Sequence, residues 1–471
     1  MFQFIKQFLI YGFTSVLAKV IATLLLPLYT NALSQAEYGA MALIMAIKGI
    51  IDLFSNLNIH SGVAREYNEE GVDRDKLVST GFYSILFFSV LTLVIMYFTR
   101  DFWIGRVLGV QGHEAAYTVM LLSLPAGSLF SYFGILTRIQ QKALLYSIGH
   151  LIQLVFQIST TIYFVLFAKL GIIGVFYGVL IGECVGIVFL VILNRKHLKK
   201  TFSTSFLKTI LAYSLPTLPA IVAGWMDRSF GQFLIGKYTS MEEVGIYSVA
   251  LRITSVLMLF HITLSHVWHP YVYENYLKPG FWKDVKRIYT VAFLVLIVLS
   301  VNLSMLSNWV VLLLSNKSYL PASQYISILM ISTSLAIMGN FVDIGPRLTR
   351  KTRYISQSTI IGSIVNIGLI FLFVRRFGVV AVPISLALSG LVSYILRSYY
   401  TKQQVSFAFP HQYVVMLIVG VLLTILFKMI VSGLVPTVII MLIMDSLFVF
   451  YIFKSFKVME LIGKLKNHSS S

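Results

Sequence analysis

The chain has 471 residues, of which 58% are hydrophobic and only 12% charged, and its mean hydropathy is +0.84. Ordinary globular domains carry about 25% charged residues, so this composition excludes a soluble globular protein of similar size. The formal net charge is +19, but the basic residues are dispersed among short connections between apolar runs, which excludes a nucleic-acid-binding surface.

A transmembrane helix needs about 20 mostly apolar residues, and about fourteen stretches of the sequence meet this requirement. In chain order they are predicted at residues 8–30, 40–57, 77–98, 115–136, 146–168, 170–193, 206–236, 244–267, 288–314, 322–342, 354–374, 377–399, 411–430 and 434–453. The first stretch lacks a small-residue cleavage site, so we expect it to stay in the mature protein. The sequence therefore predicts an all-α integral membrane protein. Its short connections leave no room for a folded domain outside the membrane, which needs about 50 residues.

The distribution of Lys and Arg predicts the orientation, because these residues collect in cytoplasmic connections. If the N-terminus is placed inside, most of the 37 Lys and Arg residues fall in inside connections and a minority fall outside. Both termini are therefore predicted to be cytoplasmic.

The two halves of the sequence resemble each other. The stretch 34–39, Ser-Gln-Ala-Glu-Tyr-Gly, matches 240–245, Ser-Met-Glu-Glu-Val-Gly, and 138–142 matches 347–351 at nearly the same offset. Internal repeats are typical of transporters. We predict two parallel six-helix bundles, residues 1–200 and 201–405, that face each other across a central cavity. Two additional helices at 406–458 and a polar cytoplasmic tail at 459–471 follow.

Four basic residues fall deep inside predicted spans rather than in connections or close to the end of a span. They are Lys19, Lys48, Arg228 and Arg252. At 1.5 Å per residue they lie roughly 12–17 Å below the outer face, where a charge costs about 2.5–3.5 kcal/mol on insertion scales. Arg and Lys bind phosphate through charge-assisted hydrogen bonds. This pattern predicts a basic cavity that receives an anionic substrate group.

Five acidic residues in or next to the spans have two interpretations. Asp52, Glu183, Asp227, Asp343 and Asp445 could bind a coupling proton or sodium ion, or they could pair with basic side chains. Lys48 and Asp52 have the i,i+4 spacing of a helical ion pair. Asp343 lies near the inner end of a span and could be only a helix cap. No catalytic residue, metal site or other cofactor is expected.

The polar turns at 37–39 and 243–247, the basic turns after the fourth and tenth helices and the fourteen-helix plan carry a family resemblance. The chain resembles the polysaccharide-transporter branch of the multidrug/oligosaccharidyl-lipid/polysaccharide (MOP) exporter superfamily, which includes the Wzx-like flippases of O-antigen and capsule repeat units. Lipid-flipping relatives in this superfamily carry basic residues on the first, second and eighth helices, which Lys19, Lys48 and Arg252 occupy here. The resemblance does not cover Arg228, which is included among the candidate binding residues only because of its predicted depth in the membrane.

The resemblance implies a transporter rather than an enzyme. Its substrate would be an oligosaccharide linked to undecaprenyl diphosphate, moved by alternating access from the cytoplasmic to the outer leaflet of the bacterial inner membrane. The implied partners are this anionic lipid-linked glycan and membrane lipid, together with a polysaccharide polymerase and a chain-length regulator. The implied process is lipopolysaccharide or capsule biosynthesis.

Three alternatives stay open at the level of sequence. A lipid II flippase would need the same basic cavity. A multidrug exporter of the same superfamily would usually carry cationic substrates, which Lys and Arg at the midplane would repel. A membrane-embedded polymerase or glycosyltransferase would resemble proteins with a large outside loop, and no predicted outside connection here exceeds about twenty residues.

Overall fold

A computed structural model describes residues 16–17, 19–21, 23–405, 407–430 and 433–456. Every regular element within these ranges is a helix, and they contain no strand. Helices satisfy their own backbone hydrogen bonds inside hydrocarbon, which long apolar runs require. The prediction of an all-α fold is confirmed.

The α-helices are numbered here in chain order. The first ten are α1 (Leu26–Ala32), α2 (Gln35–Asn56), α3 (Ile59–Glu66), α4 (Arg74–Phe98), α5 (Glu114–Ile139), α6 (Ala143–Ile162), α7 (Gly171–Asn194), α8 (Thr204–Ser214), α9 (Leu218–Tyr238) and α10 (Met241–Thr254). The others are α11 (Leu257–Asn275), α12 (Phe281–Met305), α13 (Ser307–Leu314), α14 (Ala322–Val342), α15 (Ile344–Leu348), α16 (Arg353–Phe377), α17 (Ala381–Val405), α18 (Gln412–Ile430) and α19 (Leu434–Phe456). π-Helical turns occupy Phe102–Leu108 and Tyr163–Phe167.

Eleven helical segments of the described residues are long and apolar enough to cross a membrane. The protein is therefore a multi-pass membrane protein. The predicted count of fourteen is not confirmed. One segment, Arg353–Val405, covers two predicted spans, because α16 and α17 are joined by a 3-10 turn at Gly378–Val380. The predicted span 8–30 begins outside the described residues, and Leu434–Ser446 is a shorter apolar helix.

Three predicted spans are broken in the structure. The span 206–236 is interrupted by a 3-10 turn at Leu215–Thr217, because Pro216 and Pro219 lack the backbone N–H of an α-helix. The span 244–267 divides into α10 and α11, and the span 288–314 into α12 and α13. By contrast, the predicted span 322–342 coincides with α14.

Contacts within the chain define two compact units. Unit 1 contains the described residues up to Val249, with Leu314–Tyr319 and Thr359–Ser385. Unit 2 contains Ala250–Leu313, Leu320–Ser358 and the described residues from Leu386 onward. The division into bundles at 1–200 and 201–405 stays a prediction, and the predicted tail at 459–471 lies outside the described residues.

The matching stretches of the two halves begin helices in the same way. The Ser34 side chain accepts a hydrogen bond from the backbone N–H of Glu37, and the Glu37 carboxylate accepts one from the Ser34 N–H, which is a capping box at the start of α2. In the second copy, Ser240 Oγ accepts from the Glu243 N–H at 3.3 Å at the start of α10. The repeated Ser-x-x-Glu pattern thus sets two helix starts in unit 1.

The glycines that follow these caps lie where α2 and α10 cross. A Cβ atom on Gly39 would overlap the carbonyl oxygen of Met241 and lie 2.9 Å from the Gly245 nitrogen. A Cβ atom on Gly245 would in turn overlap the carbonyl oxygen of Gln35. Only glycine allows this backbone approach. The two repeated segments therefore pack directly against each other within unit 1.

Unit 2 is held together by small polar side chains between helices. Ser300 on α12 contacts Ser334 on α14 at 2.8 Å, and Ser304 on α12 contacts Thr424 on α18 at 2.7 Å. Small residues with hydroxyl groups let membrane helices approach closely and bond across the interface. These contacts fix α18, the first of the two additional helices, against the body of unit 2.

Candidate functional site

Lys48 lies within α2 and forms a buried charge cluster in unit 1. Its Nζ is 3.0 Å from Asp52 Oδ2 and 3.3 Å from Glu183 Oε1. The Lys48 side chain is only 10% exposed and that of Glu183 14%. The i,i+4 spacing allows the contact of Lys48 with Asp52 that the structure shows, and Glu183, one of the acids that could pair with a basic side chain, reaches Lys48 from α7.

Two carboxylates therefore share one ammonium group. Their other oxygens, Asp52 Oδ1 and Glu183 Oε2, are buried and accept no hydrogen bond of normal geometry from the described residues. Ser123 lies beside the Glu183 carboxyl, but its hydroxyl donates to the Met120 carbonyl at 2.8 Å. If both acids are ionised, the cluster carries one uncompensated negative charge. A net charge is energetically unfavourable at a site that is largely removed from water. The cluster can accept one further cation or proton.

Helix packing in unit 1 brings this cluster together. Gly127 on α5 makes room for the Glu183 carboxyl, since a Cβ atom there would lie 2.8 Å from Oε2. One helical turn from Asp52, Ser55 Oγ contacts Ser128 Oγ on α5 at 2.7 Å. Contacts of this kind hold α2, α5 and α7 in register, and they set the distance between Lys48 and Glu183.

A second polar contact in unit 1 involves Asp227 on α9. The side-chain amide of Asn366, on α16, donates to Asp227 Oδ1 at 3.1 Å and to the Asp227 carbonyl at 3.2 Å. Asn366 is fully buried, and its Oδ1 accepts no hydrogen bond from a described residue. Ser363, one turn earlier, donates to the Ala223 carbonyl at 2.8 Å and fixes α16 against α9.

The other three predicted binding residues have different surroundings. Arg228 is exposed on α9, and Lys19 is half-buried in unit 1. Arg252 is half-buried on α10 and belongs to unit 2. Lys19, Lys48 and Arg228 thus belong to one unit and Arg252 to the other. Their assignment to a shared substrate cavity stays a prediction.

Asp343 forms a buried ion pair in unit 2. It lies between α14 and α15, has no exposed surface, and accepts two hydrogen bonds from Arg347, at 2.7 Å from Nε and 2.9 Å from Nη2. This two-point geometry is the strong form of an Arg–carboxylate contact. In this structure Asp343 is therefore paired with a basic side chain, which is the second of the two interpretations given for the acidic residues.

Comparison with known proteins identifies the family. A family profile described as "Polysaccharide biosynthesis protein" matches residues 30–273, more than half of the chain. The chain belongs to this family. Among curated proteins, it is 20% identical over 399 residues to the probable low-salt glycan biosynthesis flippase Agl15 of Haloferax volcanii, covering 81% of this chain and 80% of that protein.

Solved structures show the same fold for this polysaccharide biosynthesis protein. The lipid II flippase MurJ in an inward closed conformation is similar with a TM-score of 0.77 and 16% identity, covering 95% of this chain and 99% of MurJ. An inward-facing multidrug-resistance MATE transporter of the MOP superfamily is similar with a TM-score of 0.67 and 15% identity, covering 82% and 94%. The family match confirms the predicted resemblance to polysaccharide biosynthesis proteins, and these two structures show that the chain shares its fold with a transporter of the MOP superfamily.

Sequence reasoning missed one basic residue of this family member. The predicted orientation places Arg397 at the cytoplasmic end of its span, but the structure shows it half-buried on α17, where its Nη1 donates to Asn340 Oδ1 at 2.9 Å. Asn340 in turn contacts His261 Nε2 at 3.4 Å. The signal available in the sequence was that Arg397 falls two residues before the end of the predicted span 377–399.

The ion pair of Asp343 and Arg347 predicts unequal effects of removing either partner. Arg347→Ala is expected to lower the free energy of unfolding by about 3–5 kcal/mol, because it leaves a carboxylate without a cation in a site with no exposed surface. Asp343→Ala should cost less, because the 30% exposed Arg347 side chain can turn toward water. Thermal unfolding in detergent measures both, with exposed Lys351→Ala as the control. Equal losses for the two variants would contradict this prediction.

Proposed function

We propose that this protein is a flippase for an oligosaccharide carried on a polyprenyl diphosphate, which for a bacterial host is undecaprenyl diphosphate. The observation that supports the proposal most is that three basic residues of a polysaccharide biosynthesis protein, Lys48, Arg228 and Arg252, lie within helices that are long and apolar enough to cross a membrane. Its action is transport by alternating access rather than enzymatic catalysis. The cargo that fits best is an O-antigen or capsule repeat unit.

The chemistry of such a cargo explains the need for these basic side chains. Hydrocarbon rejects the charge of a diphosphate and the hydroxyl groups of a glycan. Lys and Arg side chains offer several charge-assisted hydrogen bonds to phosphate and lower this barrier. The lipid tail needs no such help, because it stays in the bilayer. Lys19, Lys48, Arg228 and Arg252 are the proposed contacts of the diphosphate.

The cluster around Lys48 suggests how an ion could be coupled to transport. Lys48 is held by Asp52 and Glu183, so an incoming phosphate must compete with two carboxylates. A proton or sodium ion bound by the carboxylates would neutralise them and free the ammonium group for the phosphate. We therefore propose Glu183 and Asp52 as the ion-binding groups and assign no such role to Asp343, which is paired with Arg347.

The proposed location follows from the proposed cargo. Transport from the cytoplasmic to the outer leaflet places the protein in the bacterial inner membrane, with both termini cytoplasmic as the basic connections predict. A polysaccharide polymerase and a chain-length regulator would act on the exported repeat unit, and they are the proposed protein partners.

Export of surface glycan in a strain lacking the gene tests the proposal. Wild-type protein is expected to restore the surface glycan and to remove the lipid-linked oligosaccharide that accumulates inside. Arg252→Ala is expected to reduce the surface glycan by at least about tenfold, because the loss of one charge-assisted contact to phosphate corresponds to about that factor. Lys317→Ala, an exposed basic residue of a connection, is the matched control.

Two results would contradict the proposal. The first is normal surface glycan in the deletion strain. The second is normal glycan with Arg252→Ala in a cell that has no other flippase, which would remove this residue from the binding site. Immunoblots of the membrane fraction must show equal protein abundance for all variants.

A lipid II flippase is the second candidate, favoured by the TM-score of 0.77 to MurJ over 95% of this chain. Its cargo also carries a diphosphate, so the same basic side chains suit it. Rescue of growth in a strain depleted of its lipid II flippase distinguishes the two. Under our first proposal the protein does not restore growth in that strain. A multidrug exporter is less compatible, because basic side chains repel cationic drugs.

A further inference from the structure

A groove in unit 1 is separate from the residues assigned to the proposed site. It has a volume of about 440 Å³ and lies between α2, α9, α16 and the π-helical turn Phe102–Leu108. We call it the aromatic groove, after its aromatic lining residues Trp103, Trp225, Phe230, Phe233 and Phe371.

Contacts among these side chains fix the walls of the aromatic groove. Trp225 Nε1 donates to the Ala46 carbonyl on α2 at 2.8 Å, and its ring lies 5.8 Å from the Phe233 ring. The rings of Phe230 on α9 and Phe371 on α16 are 6.0 Å apart. Large rings held by a hydrogen bond and by each other form a preformed site, which is typical of ligand pockets.

Basic side chains gather at one end of the aromatic groove. Arg106 and Lys237 line it and are exposed. Lys237 Nζ lies 5.9 Å from the ring centre of Tyr238, and the guanidinium of Arg375 lies 5.1 Å from the same ring. None of the described residues that line the groove is acidic. The mouth of the groove therefore attracts anions.

Membrane topology does not account for this group of basic residues. Arg106, Lys237 and Arg375 all lie in segments predicted to face outside, where Lys and Arg are scarce in membrane proteins. Three of the few outside basic residues come together at one place from three separate parts of the sequence. A binding function for an anionic group gives a physical reason for their position.

The shape and charge of the aromatic groove match a lipid with an anionic head. Its wall on α9 runs from Trp225 to Lys237, about 18 Å at 1.5 Å per residue, which accommodates the start of a hydrocarbon tail. A diphosphate carries more negative charge than the single phosphate of a phospholipid, and it matches a mouth with several cations better.

We infer that the aromatic groove binds the exported polyprenyl diphosphate at the outer leaflet. The first isoprene units lie among the aromatic rings, and the diphosphate lies between Arg106 and Lys237. This inference rests on the proposed flippase function and deepens it. The groove provides a second binding site, which holds the carrier after it has crossed the membrane and before it is released.

Photocrosslinking tests the aromatic groove directly. Phe371 is half exposed, so p-benzoylphenylalanine can replace it in the purified full-length protein. The probe is radiolabelled geranylgeranyl diphosphate in detergent micelles. We expect a crosslink that falls at least about tenfold in Arg106→Ala/Lys237→Ala, because two charge-assisted contacts to the diphosphate are lost. Lys317→Ala, outside the groove, should leave the yield unchanged, and Arg106→Lys/Lys237→Arg should retain most of it.

Competition identifies the occupant. Unlabelled geranylgeranyl diphosphate is expected to suppress the crosslink, whereas phosphatidylglycerol at the same concentration is not. An unchanged yield in Arg106→Ala/Lys237→Ala would overturn the inference. Equal competition by phosphatidylglycerol would also overturn it, since the groove would then hold bulk membrane lipid. Size-exclusion profiles check folding, and Arg106→Gln/Lys237→Gln replaces the alanine variant if that variant aggregates.

The crosslink is independent of the export experiment. Arg252→Ala should abolish export but leave the crosslink at Phe371 intact, because Arg252 does not line the aromatic groove. Restored export without the crosslink would overturn the groove and leave the flippase proposal standing. A specific crosslink in a protein that restores no export would overturn the flippase proposal and retain the groove as a site for polyprenyl diphosphates.

Discussion

Replacement of Lys48 by alanine is expected to abolish export and to lower the melting temperature of the purified protein. Its ammonium group lies 3.0 Å from Asp52 Oδ2 and 3.3 Å from Glu183 Oε1. Without it, the buried Glu183 carboxylate and the partly exposed Asp52 carboxylate face each other with no cation between them. Removing one partner of a buried pair costs about 3–5 kcal/mol. Surface glycan measures export, and thermal unfolding in detergent measures the loss of stability.

Loss of export in Lys48→Ala alone would not show whether Lys48 binds phosphate or only stabilises the fold. A second variant is therefore needed in which the charges of the cluster are balanced. The variant Lys48→Ala/Asp52→Asn/Glu183→Gln removes the cation together with both anions. It is expected to recover most of the stability, because Asn and Gln match the volumes of Asp and Glu and no charge is left without a partner. It should still export no glycan, because the proposed contact to phosphate is missing.

Export by the charge-balanced variant distinguishes the two possible roles of Lys48. Export by this variant would show that Lys48 only neutralises Asp52 and Glu183, and its assignment as a substrate contact would be wrong. Lys48→Arg keeps the charge and is expected to retain part of the activity, with a guanidinium that is larger than the ammonium group. Lys317→Ala again controls for the loss of a basic side chain elsewhere.

The charge cluster shows which part of the site could be predicted from sequence. Lys48 and Asp52 lie four residues apart on one helix, so their contact follows from helical geometry. Glu183 is 135 residues from Lys48 along the chain, and their contact depends on how α2, α5 and α7 pack. The same holds for Asn366, which meets Asp227 across 139 residues. The periodicity of residues within one segment carries no information on contacts between residues that are so far apart in the sequence.

The fold shows the same division between local and long-range information. Apolar length predicted where most helices lie, but it started the second span at residue 40, whereas the capping box of Ser34 and Glu37 starts α2 at Gln35. Pro216 and Pro219 lie at the break between α8 and α9 and give it a local cause. The breaks at Ser255 and Leu306 lie in stretches without glycine or proline. Packing between helices must set those two helix ends, and this packing cannot be read from a single sequence.

Replacement of Gly39 by alanine is expected to destabilise unit 1 more than any other single methyl group placed on α2. The new Cβ atom would overlap the Met241 carbonyl oxygen and lie 2.9 Å from the Gly245 nitrogen, and both are backbone atoms that cannot rotate away. Overpacking of this kind typically costs about 1–3 kcal/mol and sometimes more. Gly245→Ala, which meets the Gln35 carbonyl oxygen, should have a similar effect. Thermal unfolding of the purified variants measures both.

Gly224→Ala is the matched control for this crossing. Gly224 also lies within a helix of unit 1, but a Cβ atom there meets nothing within 4 Å. Alanine should therefore raise stability at this position by up to about 1 kcal/mol, because it favours the helix over glycine. Opposite signs at Gly39 and Gly224 would attribute the loss to the crossing of α2 and α10. A Gly39→Ala protein that unfolds at the wild-type temperature would show that these helices can separate without cost, and the close contact between the repeated segments would then add nothing to stability.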